Sequence, residues 1–455
     1  MMKKAAFWLA LALFIGQAGL AIFATPEAWG HSLSVFGTHL KFDLMVDSLS
    51  RAMLLCISMV LSISLLVGRY DISGEEHRFN FVNLLLIMLS GMDGVVMTTD
   101  IFSLFVFMEV TTVTSLILVA LKKNNEALEA AFKYMVLSVV ATILMFSAIA
   151  LLLLVSGSTS FSIVQAALET SKHNFLIMFA IGIFLCGLFI KAGLMPFHAW
   201  LPDAHSAAPA AVSILLSGVQ IKVLGAYTII RLITSIFGYT SSVTYILMLV
   251  GTISIIFGAL GALGQRDFKR MLAYSSISNM GYIVLGFGCG TTLGMAGAVF
   301  HLFNHAVFKS LLFLNAAAVE SQTGIRDMNK MGGLASRMPL TGITSVLASL
   351  SGAGIPPLAG FWSKLIIILA LWMAGYHGYA LIAIAGSILT LAYFLSMQRR
   401  VFFGKLNEEF AYIKEAEFGF SLAAVILATV IVGVGLCFPL LLNTFLLPIG
   451  NIFGG

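Results

Sequence analysis

Charge is scarce in this 455-residue sequence. Asp, Glu, Lys and Arg make up 10% of it, against about 25% in ordinary soluble domains. Cysteine is scarcer still. Cys56, Cys186, Cys289 and Cys437 stand far apart in apolar stretches, and none forms a C-x-x-C. That argues against an iron–sulfur cluster, a cysteine zinc site or a disulfide framework, and leaves the cysteines as small buried hydrophobes. No G-x-G-x-x-G and no Walker A loop occurs, so the chain itself is expected to hold no nucleotide, redox cofactor or metal. Long polar segments are lacking too. The longest stretches between apolar runs are about 25–43, 156–173, 320–339 and 403–418, and none can hold a soluble catalytic domain.

What is there is apolar. Hydrophobic residues make up 60% of the chain, and the mean hydropathy is +1.02. Only a bilayer is a suitable solvent for such a composition. A span needs roughly 20 apolar residues. Thirteen runs qualify, at about 5–24, 44–67, 80–98, 101–121, 128–155, 174–195, 210–235, 243–263, 270–289, 292–319, 340–374, 378–402 and 419–446. The fold expected is therefore an all-α polytopic membrane protein. The first run follows Lys3 and Lys4, as a signal peptide would. It is longer than the usual 7–15 residues and lacks a clean A-x-A, so a retained helix is expected.

Cytoplasmic loops collect Lys and Arg. With thirteen spans, one side holds Lys3, Lys4, Arg69, Arg78, Lys122, Lys123, Arg266, Lys269, Arg270, Arg326, Lys330, Arg337, Arg399, Arg400, Lys405 and Lys414. The other holds only Lys41 and Lys172. A wrong span would scramble this split. It places the amino terminus in the cytoplasm and the carboxyl terminus on the opposite face.

Seven basic residues fall inside spans. Arg51, Lys133 and Arg231 lie near span ends, where snorkelling to the headgroups suffices. Lys191, Lys222, Lys309 and Lys364 lie deeper, as does Glu109. A charge at the bilayer centre costs about 2.5–3.5 kcal/mol on insertion scales. Burial disfavours a charge and an opposite neighbour restores it, so a group poised between the two switches when a nearby charge moves. That is what a proton carrier needs. Static ion pairs are the plainer reading, but one central carboxylate cannot pair four lysines. His301, His305 and Lys309 recur at i, i+4 and i+8 and share a helix face. The histidine spacing allows a metal, structural hydrogen bonding or a proton relay, and no third ligand is evident. Ser275, Asn279 and Tyr282 form a second polar stripe.

Prolines break two spans. Pro196, Pro202 and Pro209 follow Lys191, and Pro356 and Pro357 precede Lys364. Such backbone is tolerated at membrane depth only where protein or a water-filled cavity covers it. The breaks fall in the fourth span of each of two five-span units, 80–235 and 243–402, flanked by two spans in 1–79 and by a loop and last span in 403–455. An odd number of spans inverts one unit against the other, which is a transporter arrangement.

Several long motifs carry a resemblance. KAGLMPFHAWLPDAHSAAPAAVSILLSGVQIKVLGAY (191–227), DFKRMLAYSSISNMGYI (267–283), HLFNHAVFKSLLFL (301–314) and GIPPLAGFWSKL (354–365) resemble the proton-translocating antiporter-like subunits over about residues 43–404. That family comprises the large membrane subunits of respiratory complex I, of Mrp-type sodium/proton antiporters and of membrane-bound energy-converting hydrogenases. The resemblance implies a pair between Glu109 and Lys191, a central carrier at Lys222, a linking axis through His301, His305 and Lys309, and a route to the far side by Lys364. It implies a multisubunit ion-pumping complex in a prokaryotic plasma membrane, with other membrane subunits, a peripheral redox arm and the lipid bilayer as partners, and no nucleic acid. Any NADH:quinone oxidoreductase-like or hydrogenase chemistry would belong to those partners. The family usually has fourteen core spans; the first, and the long carboxyl-terminal extension of the largest members, have no counterpart here. Proton translocation in a complex I-like or hydrogenase-like assembly is the first expectation. Sodium/proton exchange in an Mrp-type complex is the alternative, and a non-transporting scaffold the third.

Overall fold

A computed structural model describes residues 2–23, 33–34, 41–170 and 175–446. Lys172 and the carboxyl-terminal end, both used in the orientation argument, lie outside the described residues, as do the side chains of Lys3, Lys4 and Lys41. The described chain is almost wholly helical. In order the helices are α1 Met2–Phe23, α2 Ser48–Asp71, α3 Glu75–Met97, α4 Ile101–Val119, α5 Asn125–Ser156, α6 Phe161–Thr170, α7 Phe175–Ala192 and α8 Trp200–Ala207. There follow α9 Ala210–Phe237, α10 Ser241–Leu263, α11 Phe268–Gly288, α12 Thr292–Thr323, α13 Pro339–Ala353, α14 Ala359–Met373, α15 His377–Val401 and α16 Phe418–Leu436.

Among the described residues eleven helices are long and apolar enough to cross a membrane. The two remaining predicted spans coincide with α11 and with the pair α13 and α14. Helix α11 opens with Lys269 and Arg270, counted above with the loop, and carries Ser275, Ser276, Ser278 and Asn279 along its predicted span, which lowers its hydropathy. Of these, all but Arg270 are buried in the protein. Polar residues in water-like numbers are tolerable there because neighbouring helices, not lipid, surround them.

Local chemistry sets the helix ends. Asp47, Asp100, Asn124, Thr240, Asp267 and Thr291 each accept a hydrogen bond from a backbone N–H in the first turn of the following helix, satisfying a donor the helix leaves free. The loop expected at 156–173 contains α6. Phe161, Val164 and Leu168 are buried along one face of it, the spacing of a short amphipathic helix too brief to span.

Helices α9 and α12 form the centre. All of the apolar window of α9 and 94% of that of α12 are buried, whereas α1 has 11% buried and lies at the rim. The basic loops meet at one end of the bundle. Arg326 pairs with Glu126 at 2.9 Å, Lys133 and Arg270 both pair with Asp203, and Gly333 donates to the Phe403 carbonyl at 3.3 Å. At the other end, Met45 donates to the Met97 carbonyl and Ile101 to that of Thr159.

Both breaks are built alike. A glycine in the left-handed region, Gly193 at φ 64° and Gly354 at φ 86°, is followed three residues later by a cis-linked proline, Pro196 or Pro357. Only glycine adopts such a φ without cost. The shared Gly-x-x-Pro is a local identity between the two units that the reading by helix order overlooked. The first break follows the end of α7 at Ala192. The chain continues as α8, whose Asp203 reaches the charged end. Trp200 Nε1 donates to the Ile190 carbonyl at 2.9 Å, and Met195 N to Ser254 Oγ at 3.1 Å. These bonds satisfy backbone and indole groups that the break leaves without helical partners.

Candidate functional site

The deep lysines all point into the protein. Lys191, at the end of α7, is 2% exposed. Its Nζ donates to Glu109 Oε1 at 3.0 Å and to Thr112 Oγ1 at 2.9 Å. Glu109 is the more open partner, with 25% of its side chain exposed. Lys222 is fully buried and donates to the Ser217 carbonyl. It sits where α9 widens into π-type turns, Leu216–Gln220 and Lys222–Tyr227, a distortion frequent at functional sites. Close approach holds the two lysine-bearing helices together: a Cβ built on Gly225 would lie 2.6 Å from Ala192 Cα.

The row continues through α12. His301 and His305 stack with ring centroids 6.1 Å apart. His301 Nδ1 bonds Ser363 Oγ at 2.9 Å; the other three imidazole nitrogens have no protein partner. Both histidines lie within electrostatic reach of Lys222 and of Lys364. Lys309 donates to the Leu272 carbonyl at 2.8 Å and to Ser275 Oγ. Among the described residues Lys364 Nζ has no hydrogen-bond partner; it lies 4.4 Å from the Tyr282 ring centroid, a cation–π contact. Gly354 of the second break lies beside the Lys364 stem. Among the described residues, no cluster of three His, Cys, Asp or Glu includes the two histidines.

Side chains that sequence reasoning passed over join this row. Tyr134 OH exchanges a hydrogen bond with Ser115 Oγ at 2.8 Å and accepts one from Gln220 Nε2 at 2.8 Å. Ser115 Oγ in turn donates to the Thr112 carbonyl at 2.7 Å. A hydrogen-bonded chain thus runs from Thr112, at the Glu109–Lys191 pair, to Gln220, two residues from Lys222. His205 on α8 is fully buried with neither ring nitrogen bonded and stacks on Phe313 at 4.7 Å. It stood within the proline-rich motif and was read only as part of the break.

One reading changes. Arg231 does not snorkel. It is 3% exposed, its Nη1 and Nη2 reach Asp47 at 2.6 and 2.9 Å, and it also donates to Tyr227 OH and Ser50 Oγ. A carboxylate nearer a span end was passed over. Asp93 of α3 accepts from Gln17 Nε2 at 3.0 Å, tying α1 to the bundle. Arg51 donates to the Ala21 and Ile22 carbonyls that close α1.

A many-helix bundle with apolar flanks and a line of buried cations through its centre defines an integral membrane protein with an ionisable interior. Residues 98–390 match the family described as NADH:quinone oxidoreductase/Mrp antiporter, TM, and the chain belongs to that family. A Na(+)/H(+) antiporter subunit of Alkalihalophilus pseudofirmus is 34% identical over 393 residues, covering 86% of this chain and 80% of the relative. An NADH-quinone oxidoreductase subunit of Desulforudis audaxviator is 31% identical over 396 residues, 85% of this chain and 79% of the relative. In solved structures, a chain of the Mrp complex from Dietzia sp. DQ12-45-1b shares the fold with a TM-score of 0.91 at 24% identity, covering 99% of this chain and 93% of that one.

Proposed function

We propose that this chain carries protons across the membrane as one subunit of a larger ion-pumping assembly of the complex I-like or hydrogenase-like kind. The observation that carries the reading is Lys222, a fully buried ammonium with one backbone carbonyl as its hydrogen-bond acceptor. A cation so placed is costly as a fixed charge and useful as a carrier whose proton comes and goes. Protons enter from one face, reside on Lys222, pass His305 and His301, and leave by Lys364. Lys309 holds the axis beside them. Ordered water, the usual partner of buried polar groups, bridges the gaps. The Glu109–Lys191 pair biases the proton on Lys222 as its charges draw together or apart, with the Tyr134 chain between them. Electron-transfer or other driving chemistry resides in partner subunits, as the naming of both relatives as subunits supports.

In this reading 80–235 and 243–402 are two inverted five-helix units, flanked by 1–79 and 403–455, and the common Gly-x-x-Pro supports their equivalence. The end where basic loops gather is the cytoplasmic face of a prokaryotic plasma membrane, with the amino terminus there and the carboxyl terminus opposite. The test is Lys222→Ala in the assembled complex, reconstituted in vesicles. Proton pumping at the wild-type rate would sink the proposal. The 34% identity to a sodium/proton antiporter subunit supports a second reading, sodium/proton exchange. Sodium-dependent transport that survives Lys222→Ala and vanishes with Glu109→Ala selects it.

A further inference from the structure

A cleft lies where the last turns of α15 leave the bundle at its basic end. It has a volume of about 730 Å³, and Arg399, Arg400 and Lys405 line it together with the 328–332 loop. No carboxylate lines it. Among the described residues none of the three cations is in an ion pair; Arg400 alone makes a hydrogen bond, to the Gln265 carbonyl at 3.4 Å. Lys133, Lys269, Arg270 and Arg326 at the same end are held in ion pairs, whereas these three converge on one cleft with their charge unmatched.

Beside the cleft lies a second, apolar groove of about 280 Å³ between α13 and α15, with Val346, Leu350, Leu391 and Phe394 among its walls. Leu395, Arg399 and Phe403 line both cavities. Leu395 is 54% exposed and Phe403 49%, so the junction faces outward. From Arg399 to Leu391 along α15 the groove runs about 12 Å toward the membrane centre, at 1.5 Å per residue. Unpaired cations at the headgroup level, continuous with an apolar channel descending between two spans, match one chemistry: a phosphate attached to a hydrocarbon chain. Basic pockets between spans on the cytoplasmic side are suited to anionic lipid headgroups.

We propose that this composite cleft binds an anionic phospholipid, its phosphate on Arg399, Arg400 and Lys405 and one acyl chain in the groove between α13 and α15. The lipid would wedge α13 against α15. It would also cover the outer side of Phe394, whose ring lies 5.9 Å from Lys309 Nζ.

The test uses the complex purified in mild detergent, stripped of lipid and titrated with phosphatidylglycerol or phosphatidylcholine under native mass spectrometry. Phosphatidylglycerol should be retained in preference to phosphatidylcholine. Arg399→Gln with Lys405→Gln removes two cations that make no bond within the protein. It should weaken phosphatidylglycerol retention roughly thirtyfold, at about fivefold per basic charge. Leu395→Trp, which fills the junction from its exposed side, should weaken it with the cations intact. Equal retention of the two lipids, or no effect of the double substitution, overturns the proposal. Glycerol 3-phosphate competing as well as the lipid, with no effect of Leu395→Trp, makes it a soluble phosphate site instead. Failure of lipid to bind, together with cross-linking of Leu395→Cys to another subunit, makes the cleft a protein interface and also overturns the assignment.

Discussion

Replacing Tyr134 by Phe isolates the link between the ion pair and the central lysine. The substitution removes one oxygen. The ring keeps its stack on Trp200, whose centroid lies 4.1 Å away, so packing is preserved. Ser115 Oγ keeps its bond to the Thr112 carbonyl. Gln220 is the loser. Its amide is fully buried, its Nε2 gives its one bond to Tyr134, and its Oε1 has no protein partner. Leaving a buried donor unsatisfied costs about 1–3 kcal/mol, and that is the loss of stability expected. The amide must then turn or recruit a new partner two residues from Lys222. If half of that cost is expressed in the energy of moving a proton on Lys222, pumping slows by roughly twofold to twelvefold, since about 1.4 kcal/mol is a factor of ten. The assay is the initial rate of vesicle acidification by the reconstituted complex, beside thermal unfolding of the same preparation. Gln220→Leu in the Tyr134→Phe background separates the two effects. Removing both partners recovers most of the stability but leaves pumping slow. Wild-type pumping by Tyr134→Phe, with the stability loss present, would refute the link and leave the chain Thr112–Ser115–Tyr134–Gln220 a packing device.

Two further substitutions test the frame around the site. Gly225→Ala places a methyl 2.6 Å from Ala192 Cα; backbone cannot yield as a side chain would, so a destabilisation of about 1–3 kcal/mol is expected, with slower pumping because α7 and α9 are forced apart. A melting temperature equal to wild type would show that the helices do not meet this closely. Asp47→Asn leaves Arg231 as an uncompensated buried charge and should cost about 3–5 kcal/mol at neutral pH. Burial acts to raise the Asp47 carboxyl, but the Arg231 guanidinium outweighs it and holds the carboxyl below its ordinary 3.8. A depressed carboxyl contributes stability fully above that ordinary value and loses it as pH falls below. The gap between wild type and Asp47→Asn should therefore stay constant from about pH 8 to pH 5; a gap that closes across that range would place the titration elsewhere.

The spans were legible because apolar runs and the split of basic loops are local properties of sequence. Lys191, Lys222, Lys309 and Lys364 were legible for the converse reason: a charge is conspicuous against an apolar background. What escaped is long-range or small. Asp47 stands 184 residues from Arg231, and nothing near either residue announces the other. Tyr134, Ser115 and Gln220 are ordinary residues of a span until the fold joins them. Asp93 lay in a predicted span and was passed over. His205 was hidden by its prolines, which drew attention to the backbone and away from the imidazole. The Gly-x-x-Pro shared by the two breaks is four residues long, too short to read as a repeat until the positive φ of Gly193 and Gly354 gave both copies the same geometry.

Helix α9 supplies its own control for the functional reading. Arg231 and Lys222 are both buried cations on that helix, nine residues apart. Arg231 is provided for: a carboxylate held by two nitrogens, a phenol and a hydroxyl. Removing any of these should register as lost stability, as a structural ion pair does. Lys222 receives the Ser217 carbonyl, and no salt bridge to it is found among the described residues. Among the described residues Lys364 receives the face of Tyr282 and no hydrogen bond. The same fold that matches one cation almost completely leaves these two nearly unmatched, so the deficit is not a general property of its interior. A carboxylate beside Lys222 would fix its charge and, with it, its proton. In the relay proposed above its place is taken by a pair set at a distance, Glu109 with Lys191, joined to α9 through Tyr134 and Gln220. That separation between the charge that is held and the charge that is biased is what distinguishes a proposed relay from a buried salt bridge.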